Sequence, residues 1–178
     1  MKCLIVAAGQ GTRLRGKSAL KPLAVVGGMT LIERVMRCGQ QAGIDAFVVV
    51  SGYRGYELRA ELDVIAPRIG TCVVHVVNDE WHRANGVSVL KARPYLDTPF
   101  VLSMCDHLAD PAIVRDLMSE RPNEGSVILA VDFAIAEPLN DPLDATRVQR
   151  LQFGIGDLRA DHGHALPAPA RGGEGVHH

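Results

Sequence analysis

Short apolar runs that alternate with helical patterns constrain the fold of this chain more than any other feature of its sequence. The runs are rich in Val and Ile, and near-continuous examples such as residues 47–50 are typical of strands buried on both faces of a sheet. The stretches between them carry apolar residues at helical spacing. The predicted strands are residues 2–8, 45–51, 71–77, 100–105 and 126–131, and the predicted helices are residues 30–42, 55–65, 87–92 and 111–120.

This order of elements predicts an α/β fold with a Rossmann-like, doubly wound and mostly parallel sheet that carries helices on both faces. Ligands of such sheets bind beyond the carboxyl ends of the strands. The 178 residues, 47% of them hydrophobic, suffice for one domain with a sizeable core, which we place at residues 1–156. Residues 157–178 are rich in Pro, Gly and Ala without a periodic apolar face, so we expect an irregular or disordered tail.

Three local signals mark helix ends. Thr30 and Glu33 have the spacing of a capping box, so the Thr30 side chain is expected to cap the first helix. Gly43 follows that helix and can adopt the left-handed conformation that ends it. Pro111 suits the first turn of the fourth helix, where its missing N–H costs no hydrogen bond.

Composition excludes several classes of function. Charges of both signs are interspersed and the net charge is −1, so no nucleic-acid-binding face is expected, and an aromatic content of 4% leaves no stacking platform. No run approaches the ~20 apolar residues of a membrane-spanning helix. The amino-terminal apolar run leads into glycines instead of a cleavage site, so we expect a cytoplasmic protein. The four cysteines form no C-x-x-C pair, which favours buried, reduced thiols over a zinc site.

Residues 11–18, GTRLRGKS, satisfy the P-loop pattern G-x-x-x-x-G-K-[ST]. A P-loop needs a helix that begins at its Gly-Lys-Ser, because the amides and dipole of that helix hold the phosphates. Pro22 disfavours helical backbone at Lys21, and two glycines follow at residues 27–28, so at most about one helical turn could form there. The P-loop therefore remains an alternative, and Lys17 is the residue that would test it.

An open glycine loop explains the same stretch better. The first predicted strand delivers the chain to Gly9, and both Gly9 and Gly11 permit positive φ and a close approach of the backbone to a ligand. Arg13 and Lys21 could then line a triphosphate, with Pro22 stiffening the backbone beside the lysine. This interpretation predicts a nucleotide bound on a loop and not at the start of a helix.

Four motifs, in the same order along the chain, resemble those of one family. They are AAGQGTRL with a following KPL, then NDEWHRANGVSVLKA, then FVLSMCDH, and finally DATRV. Together they resemble the sugar-phosphate and alditol-phosphate nucleotidyltransferases, or MobA-like NTP transferases, over about residues 1–150. Within that family the second and third motifs are most similar to the inositol-1-phosphate cytidylyltransferase branch.

The resemblance implies a Mg²⁺-dependent reaction in which a phosphomonoester attacks the α-phosphate of an NTP, best matched by CTP, and expels pyrophosphate. The implied acceptor is a sugar or polyol phosphate, best matched by inositol 1-phosphate, and a homo-oligomer is compatible with the resemblance. Asp106 would hold Mg²⁺, and Arg147 would contact the acceptor phosphate. Arg13 and Lys21 would contact the triphosphate. The other residues implied to bind the nucleotide are Ala7, Ala8, Gly9, Gly11, Thr12, Asn85, Gly86 and Ser88.

The sequence departs from the family pattern in two places. Arg147 stands where the family usually has Lys, so a planar fork replaces a point charge. The family's second metal-binding carboxylate has no clear counterpart, and Asp161 is a candidate only by its position. Asn85 also has a second interpretation, as the N-cap of the helix that follows it. Two rival functions stay open: a P-loop NTPase or kinase, and a degenerate nucleotide-binding module without catalysis.

Overall fold

Eight strands and four α-helices are present in the parts of the chain that the structure describes. The structure is a computed structural model, and it describes residues 1–11, 20–120, 123, 125–131, 147–148 and 160–161. The strands are β1 (Lys2–Ala7), β2 (Val25–Val26), β3 (Met29–Thr30), β4 (Ala46–Ser51), β5 (Cys72–Val77), β6 (Val101–Met104), β7 (Arg147–Val148) and β8 (Ala160–Asp161). The helices are α1 (Leu31–Ala42), α2 (Gly55–Ile69), α3 (Asn85–Ala92) and α4 (Pro111–Ser119).

Four of these strands form a parallel sheet in the order β5-β4-β1-β6. The chain runs outward from β1 through β4 to β5, and then returns to the other side of β1 as β6. The direction of winding therefore reverses between β1 and β6. In open α/β sheets, this reversal opens a crevice at the carboxyl ends of the two strands.

Apolar side chains of β1 alternate between two buried clusters, one on each face of the sheet. Ile5 belongs to the cluster that also contains residues of α1 and α2, and α4 packs against that cluster. Leu4 belongs to the opposite cluster, which includes Ala92 of α3. Both Ile5 and Leu4 are fully buried, and burial of such a side chain contributes about 1.5–3 kcal/mol. The predicted doubly wound fold, with helices on both faces, is confirmed.

Two of the three helix-end signals have the expected geometry. Gly43 ends α1 in the left-handed conformation with φ of 101°. Pro111 is the first residue of α4, and the Asp110 carboxylate before it accepts a hydrogen bond from the backbone N–H of Ala112 at 2.7 Å. The sequence therefore sets these helix ends by local chemistry.

The predicted capping box at the start of α1 is wrong. The Thr30 side chain makes no capping hydrogen bond, and its hydroxyl is buried without a partner among the described residues. Glu33 is 4% exposed and instead binds two guanidinium groups, those of Arg37 at 2.8 Å and Arg68 of α2. Two charge-assisted hydrogen bonds to arginine side chains stabilise the Glu33 carboxylate more than one capping bond to a backbone amide would.

The predicted strand at residues 126–131 is also wrong. This segment has no regular structure, and its apolar side chains are open to solvent, with Val127 70% exposed. A strand needs a neighbour for its backbone hydrogen bonds, and no described strand pairs with this segment. An apolar pattern in the sequence can suggest a strand, but it does not show whether a neighbouring strand is present to pair with it.

The chain divides into two units, Met1–Arg121 and Pro122–His178. The second unit contains the short antiparallel ladder of β7 and β8, in which Arg147 is opposite Asp161. Two residues of the predicted irregular tail, Ala160–Asp161, are thus in a strand, and the rest of that tail lies outside the described residues. None of the helices in the described regions is long and apolar enough to cross a membrane.

Candidate active site

A cavity of about 280 Å³ lies at the carboxyl ends of β1 and β6, where the winding of the sheet reverses. Main-chain and small side-chain atoms of the first motif form one wall, and the end of β6 forms the other. The lining residues are Val6, Ala7, Ala8, Gly9, Gly11, Lys21, Asn85, Met104, Cys105 and Asp106. Seven of the site residues predicted from the sequence fall in this lining: Ala7, Ala8, Gly9, Gly11, Lys21, Asn85 and Asp106.

Backbone hydrogen bonds extend the sheet past its strand ends and hold residues that line this cavity. The N–H of Cys105 donates to the carbonyl oxygen of Val6 at 3.1 Å, and the N–H of Tyr53 donates to that of Ala8 at 3.0 Å. Ala8 is therefore held from the β4 side just before the chain reaches Gly9. A Cβ atom added to Gly9 would meet nothing within 4 Å, so this glycine is open on its side-chain face.

Gly11 has a positive φ, at +64°, whereas Gly9, whose sequence context also permitted one, does not. A Cβ atom on Gly11 would also lie only 2.6 Å from Cβ of Lys21, so any side chain here collides with the lysine. Lys21 begins a 3-10 turn, Lys21–Leu23, in which Pro22 is buried. Leu20 is extended and 1% exposed, so the lysine stem is fixed between two buried residues.

Lys21 forms an ion pair with Asp106 inside the cavity. Each side chain is 31% exposed, so water screens the pair and its contribution to stability is modest. The ion pair matters for the arrangement of the site, because it brings the cation of the KPL motif next to the carboxylate of the MCDH motif. Asp106 reaches this position because it follows the end of β6, which Cys105 fastens to β1.

The donor set suits a metal that needs few protein ligands. No group of three or more His, Cys, Asp or Glu side chains is close enough to hold an ion within the described ranges. Mg²⁺ is commonly bound by one or two carboxylates together with water and substrate phosphates, and Asp106, which is 31% exposed and lines the cavity of about 280 Å³, fits such a role. The candidate second acid, Asp161, belongs to the second unit.

The first turn of α3 brings Asn85 to the cavity wall. Asn85 is the first residue of α3 and Ala84 occupies the N-cap position without a side-chain bond, so the alternative role of Asn85 as N-cap is wrong. Gly86 is exposed next to it, and a Cβ added there would meet nothing within 4 Å. Ser88 is different: it is 2% exposed, and its hydroxyl oxygen accepts a hydrogen bond from the side chain of Asn78 at 2.9 Å.

Burial, together with the neighbouring Asp106 charge, raises the pKa of the Cys105 thiol to about 12, against a smaller lowering by Lys21. Cys105 is consequently a neutral thiol near neutral pH and not a nucleophile. All four cysteines are free, as expected, but only Cys3 and Cys105 are buried. Cys72 is exposed, because it is the first residue of β5, which is an edge strand of the sheet.

Residues 3–164 match the MobA-like NTP transferase domain. The chain belongs to this family. The bifunctional IPC transferase and DIPP synthase of Rubrobacter xylanophilus is 41% identical to this chain over 152 residues, or 84% of this chain and 32% of that protein. The protein of the same name from Archaeoglobus fulgidus is 34% identical over 108 residues, or 61% of this chain and 21% of its own length. The MobA-like domain thus spans about a third or less of the curated relatives it matches.

Solved structures share the fold of this MobA-like domain. The inositol-1-phosphate CTP transferase from T. maritima superposes with a TM-score of 0.59 at 23% identity, covering 68% of this chain and 49% of that one. A UDP-glucose pyrophosphorylase complexed with UDP-glucose gives a TM-score of 0.56 at 23% identity, covering 66% of this chain and 52% of that one. At these identities the likeness concerns the fold alone.

The roles of several residues predicted for the site of the MobA-like domain remain predictions. Thr12 and Arg13, and the Gly16-Lys17 step that would begin a P-loop helix, are outside the described residues. Arg147 is described only as part of β7 in the second unit. The choice between the open glycine loop and the P-loop therefore stays a prediction. Sequence reasoning missed Asn78 as a site residue, although it is the first residue of the NDEWHRANGVSVLKA motif.

Proposed function

We propose that this domain transfers a nucleotidyl group from an NTP, CTP being the best candidate, to a sugar or polyol phosphate, and releases pyrophosphate. Inositol 1-phosphate is our best candidate for the acceptor. The observation that carries the proposal is the convergence of Gly9, Gly11, Lys21 and Asp106 on one cavity at the reversal point of the sheet. The choice of CTP and inositol 1-phosphate is supported by two similar proteins, an IPC transferase and an inositol-1-phosphate CTP transferase.

The reaction needs little acid–base chemistry from the protein. The nucleophile is a phosphate oxygen that already carries negative charge, so no general base has to create it. The protein must bring two polyanions together and hold the attacking and leaving oxygens in line, which depends on positioning and charge neutralisation. Lys21 supplies a point charge, and the open backbone at Gly9 admits a close approach by phosphate oxygens.

Mg²⁺ is the cofactor we propose, with Asp106 as its protein ligand. When bound there with the triphosphate, the ion would neutralise developing negative charge. Lys21 is close enough to Asp106 to contact the same phosphate oxygens. Arg13 would add a second cation from the glycine loop, and Arg147 would hold the acceptor phosphate through the fork of its guanidinium.

The base would meet the first turn of α3. The Asn85 side chain carries both a donor and an acceptor, as does the edge of cytosine, and it lies on the cavity wall. Gly86 leaves space beside it for a ring or a ribose. Asn85 is therefore our choice for the residue that reads the nucleoside, with Gly86 allowing its approach.

A pyrophosphate-release assay tests the proposal. The purified chain is incubated with Mg²⁺, each of the four NTPs and a panel of sugar and polyol phosphates, including inositol 1-phosphate. We expect turnover with at least one pair, and loss of at least about 100-fold in Asp106→Asn, the scale seen when an electrostatic stabiliser is removed. Asp97→Asn is the matched control, since Asp97 is 75% exposed and pairs with Lys2 at the other end of the sheet.

Two results would contradict the proposal. Absence of product with every pair, from a folded protein, would remove the catalytic claim. Tight binding of an NTP with Mg²⁺ but without turnover would favour the degenerate nucleotide-binding module instead. The cytoplasmic location is a further part of the proposal, to be checked by cell fractionation, and analytical ultracentrifugation would determine whether the chain forms a homo-oligomer.

A further inference from the structure

We propose that Asn78, acting through Ser88, is a positioning residue that holds Asn85 against the nucleotide. The inference rests on the proposed function, because it assigns Asn85 to the nucleoside. Asn78 lies just beyond the end of β5 and does not line the cavity. Its role would be to fix the place of α3, whose first residue forms part of the cavity wall.

Asn78 is a buried hub with three hydrogen bonds. It is 1% exposed, and its backbone N–H donates to the carbonyl oxygen of Ser51 at 2.7 Å. Its side-chain oxygen accepts from the N–H of Glu80 at 2.9 Å, and its side-chain amide donates to the hydroxyl of Ser88 at 2.9 Å. The Glu80 N–H can only donate, so it fixes the amide orientation and leaves the NH₂ group for Ser88. The residue therefore joins β4, the loop after β5, and α3.

Ser88 transmits this anchoring to the cavity wall. It lies three residues after Asn85, so the two occupy neighbouring positions on the surface of α3. Because no side chain caps the helix at Ala84, the bond between Ser88 and Asn78 is the buried polar contact that secures its first turn. A shift of that turn moves Asn85 directly.

Surface contacts of the same loop are weaker restraints. Lys91 of α3 pairs with Asp79 at 2.6 Å and with Glu80 at 3.5 Å, but Asp79 is 77% exposed. Exposed pairs of this kind contribute little, whereas removal of one partner from a buried hydrogen bond leaves the other unsatisfied. We therefore assign the control of Asn85 to the Asn78–Ser88 bond, with Lys91→Ala as the variant that tests the alternative.

The experiment measures the dissociation constant of CTP with Mg²⁺ by calorimetry, with ATP, GTP and UTP in parallel, together with KM and kcat. Ser88→Ala is the main variant because it removes only a hydroxyl and favours helix. We expect it to raise the dissociation constant and KM about tenfold, the size of one lost buried hydrogen bond, with kcat changed less than about threefold. Asn78→Ala should act in the same direction, and Lys91→Ala should stay within about twofold.

The decisive comparison is made in an Asn85→Ala background. If Ser88 acts by placing Asn85, then adding Ser88→Ala to Asn85→Ala should weaken CTP binding no further. A purely structural role for Ser88 would instead give effects that multiply. Multiplying effects, or a Ser88→Ala protein that binds CTP as the wild type does, would overturn the inference.

Failure of the inference and failure of the proposed function give different results. A wild type that binds CTP without turnover contradicts the proposed function, and the inference is then judged on the dissociation constants. A wild type that turns over substrate while Ser88→Ala behaves normally contradicts the inference alone. A wild type that binds none of the four NTPs contradicts both. Thermal melts of each variant exclude misfolded protein from the comparison.

Discussion

Gly11 and Lys21 pack so closely that a Cβ atom on the glycine would lie 2.6 Å from Cβ of the lysine. Gly11 also has φ of +64°, a conformation that other residues adopt at a cost. Gly9 lies two residues earlier in the same loop and has open space where its Cβ would be. The two glycines therefore allow a matched comparison, in which the same Gly→Ala substitution is made at a crowded position and at an open one.

Gly11→Ala should destabilise the fold and misplace Lys21, whereas Gly9→Ala should leave the fold unchanged. We expect Gly11→Ala to lower the free energy of unfolding by about 1–3 kcal/mol and to weaken NTP binding. Chemical denaturation and calorimetry with CTP provide the two readouts. Equal stability of the two variants would show that the loop relaxes around a side chain at position 11.

Lys21→Ala should weaken nucleotide binding far more than Lys17→Ala. Lys21 is in ion contact with Asp106 in the cavity, so its loss removes the cation from the place where we expect the triphosphate. We expect the affinity for CTP to fall at least about tenfold, which is the effect of losing one hydrogen bond to a charged group. If Lys17→Ala instead abolishes CTP binding, the P-loop interpretation is right.

Arg68→Ala should destabilise the fold through the buried carboxylate of Glu33. Glu33 is 4% exposed and is bound by Arg68 and Arg37, so removal of Arg68 leaves a buried charge with half of its partners. We expect a loss of about 1–3 kcal/mol in denaturant unfolding. Arg59→Ala is the control, because its pair with Asp63 is more than half exposed and should cost no more than about 0.5 kcal/mol. Similar losses for both variants would argue against a special role for Glu33.

The stability of the fold should decline as the pH falls below the ordinary pKa of histidine, about 6.5. Burial, with a smaller contribution from the charge of Arg59, lowers the pKa of His75, although Asp63 acts in the opposite direction. Between the lowered value and 6.5, the unfolded chain therefore binds more protons than the folded one, and acid favours unfolding.

Denaturation at a series of pH values from 5 to 8 measures this dependence. His75→Gln should flatten the part of the slope that lies below pH 6.5, while retaining a group that can bond the Ser51 hydroxyl, which is 2.7 Å from the ring Nε2. A variant slope identical to that of the wild type would show that other groups dominate in this range.

Cys72 should be the thiol of the first unit that reacts fastest with a mild thiol reagent in the native protein. It is exposed, whereas burial raises the pKa of Cys3 and Cys105 to about 12. Time-resolved labelling followed by peptide mass spectrometry should find modification at Cys72 first, with Cys3 and Cys105 protected until denaturant is added. Early labelling of Cys105 would mean that the cavity wall opens readily.

Much of the fold could be predicted from local patterns. The strands β1 and β4 are almost entirely buried, and their near-continuous apolar runs signalled this in the sequence. Gly43 and Pro111 act through backbone conformation alone, so their effects did not depend on the rest of the fold. Gly9 and Asp106 follow the ends of β1 and β6, and the rule for the carboxyl ends of parallel strands predicts that they lie at one cavity. Lys21 was assigned to the same site from the glycine-loop interpretation and the family resemblance.

Features that depend on distant partners could not be predicted in this way. Glu33 looked like half of a capping box, but Arg68, on another helix, binds it instead. Residues 126–131 have a strand-like pattern without a described neighbour to pair with. Asn78 and Ser88 are polar residue types that do not by themselves indicate burial. They can be buried because the hydrogen bond between their side chains satisfies the polar groups of both.

The backbone bonds beyond the strand ends have a consequence for engineering. Three N–H groups, those of Tyr53, Asn78 and Cys105, continue the hydrogen-bond ladder past the ends of the strands, so the chain leaves the sheet from fixed points. Sequence libraries placed further along these loops, beyond Glu80 and beyond Asp106, can change what the pocket accepts while keeping both these backbone bonds and the bond from Glu80 to Asn78. Attempts to redirect the domain to a new base or a new acceptor should therefore begin past these anchors and should keep Asp106.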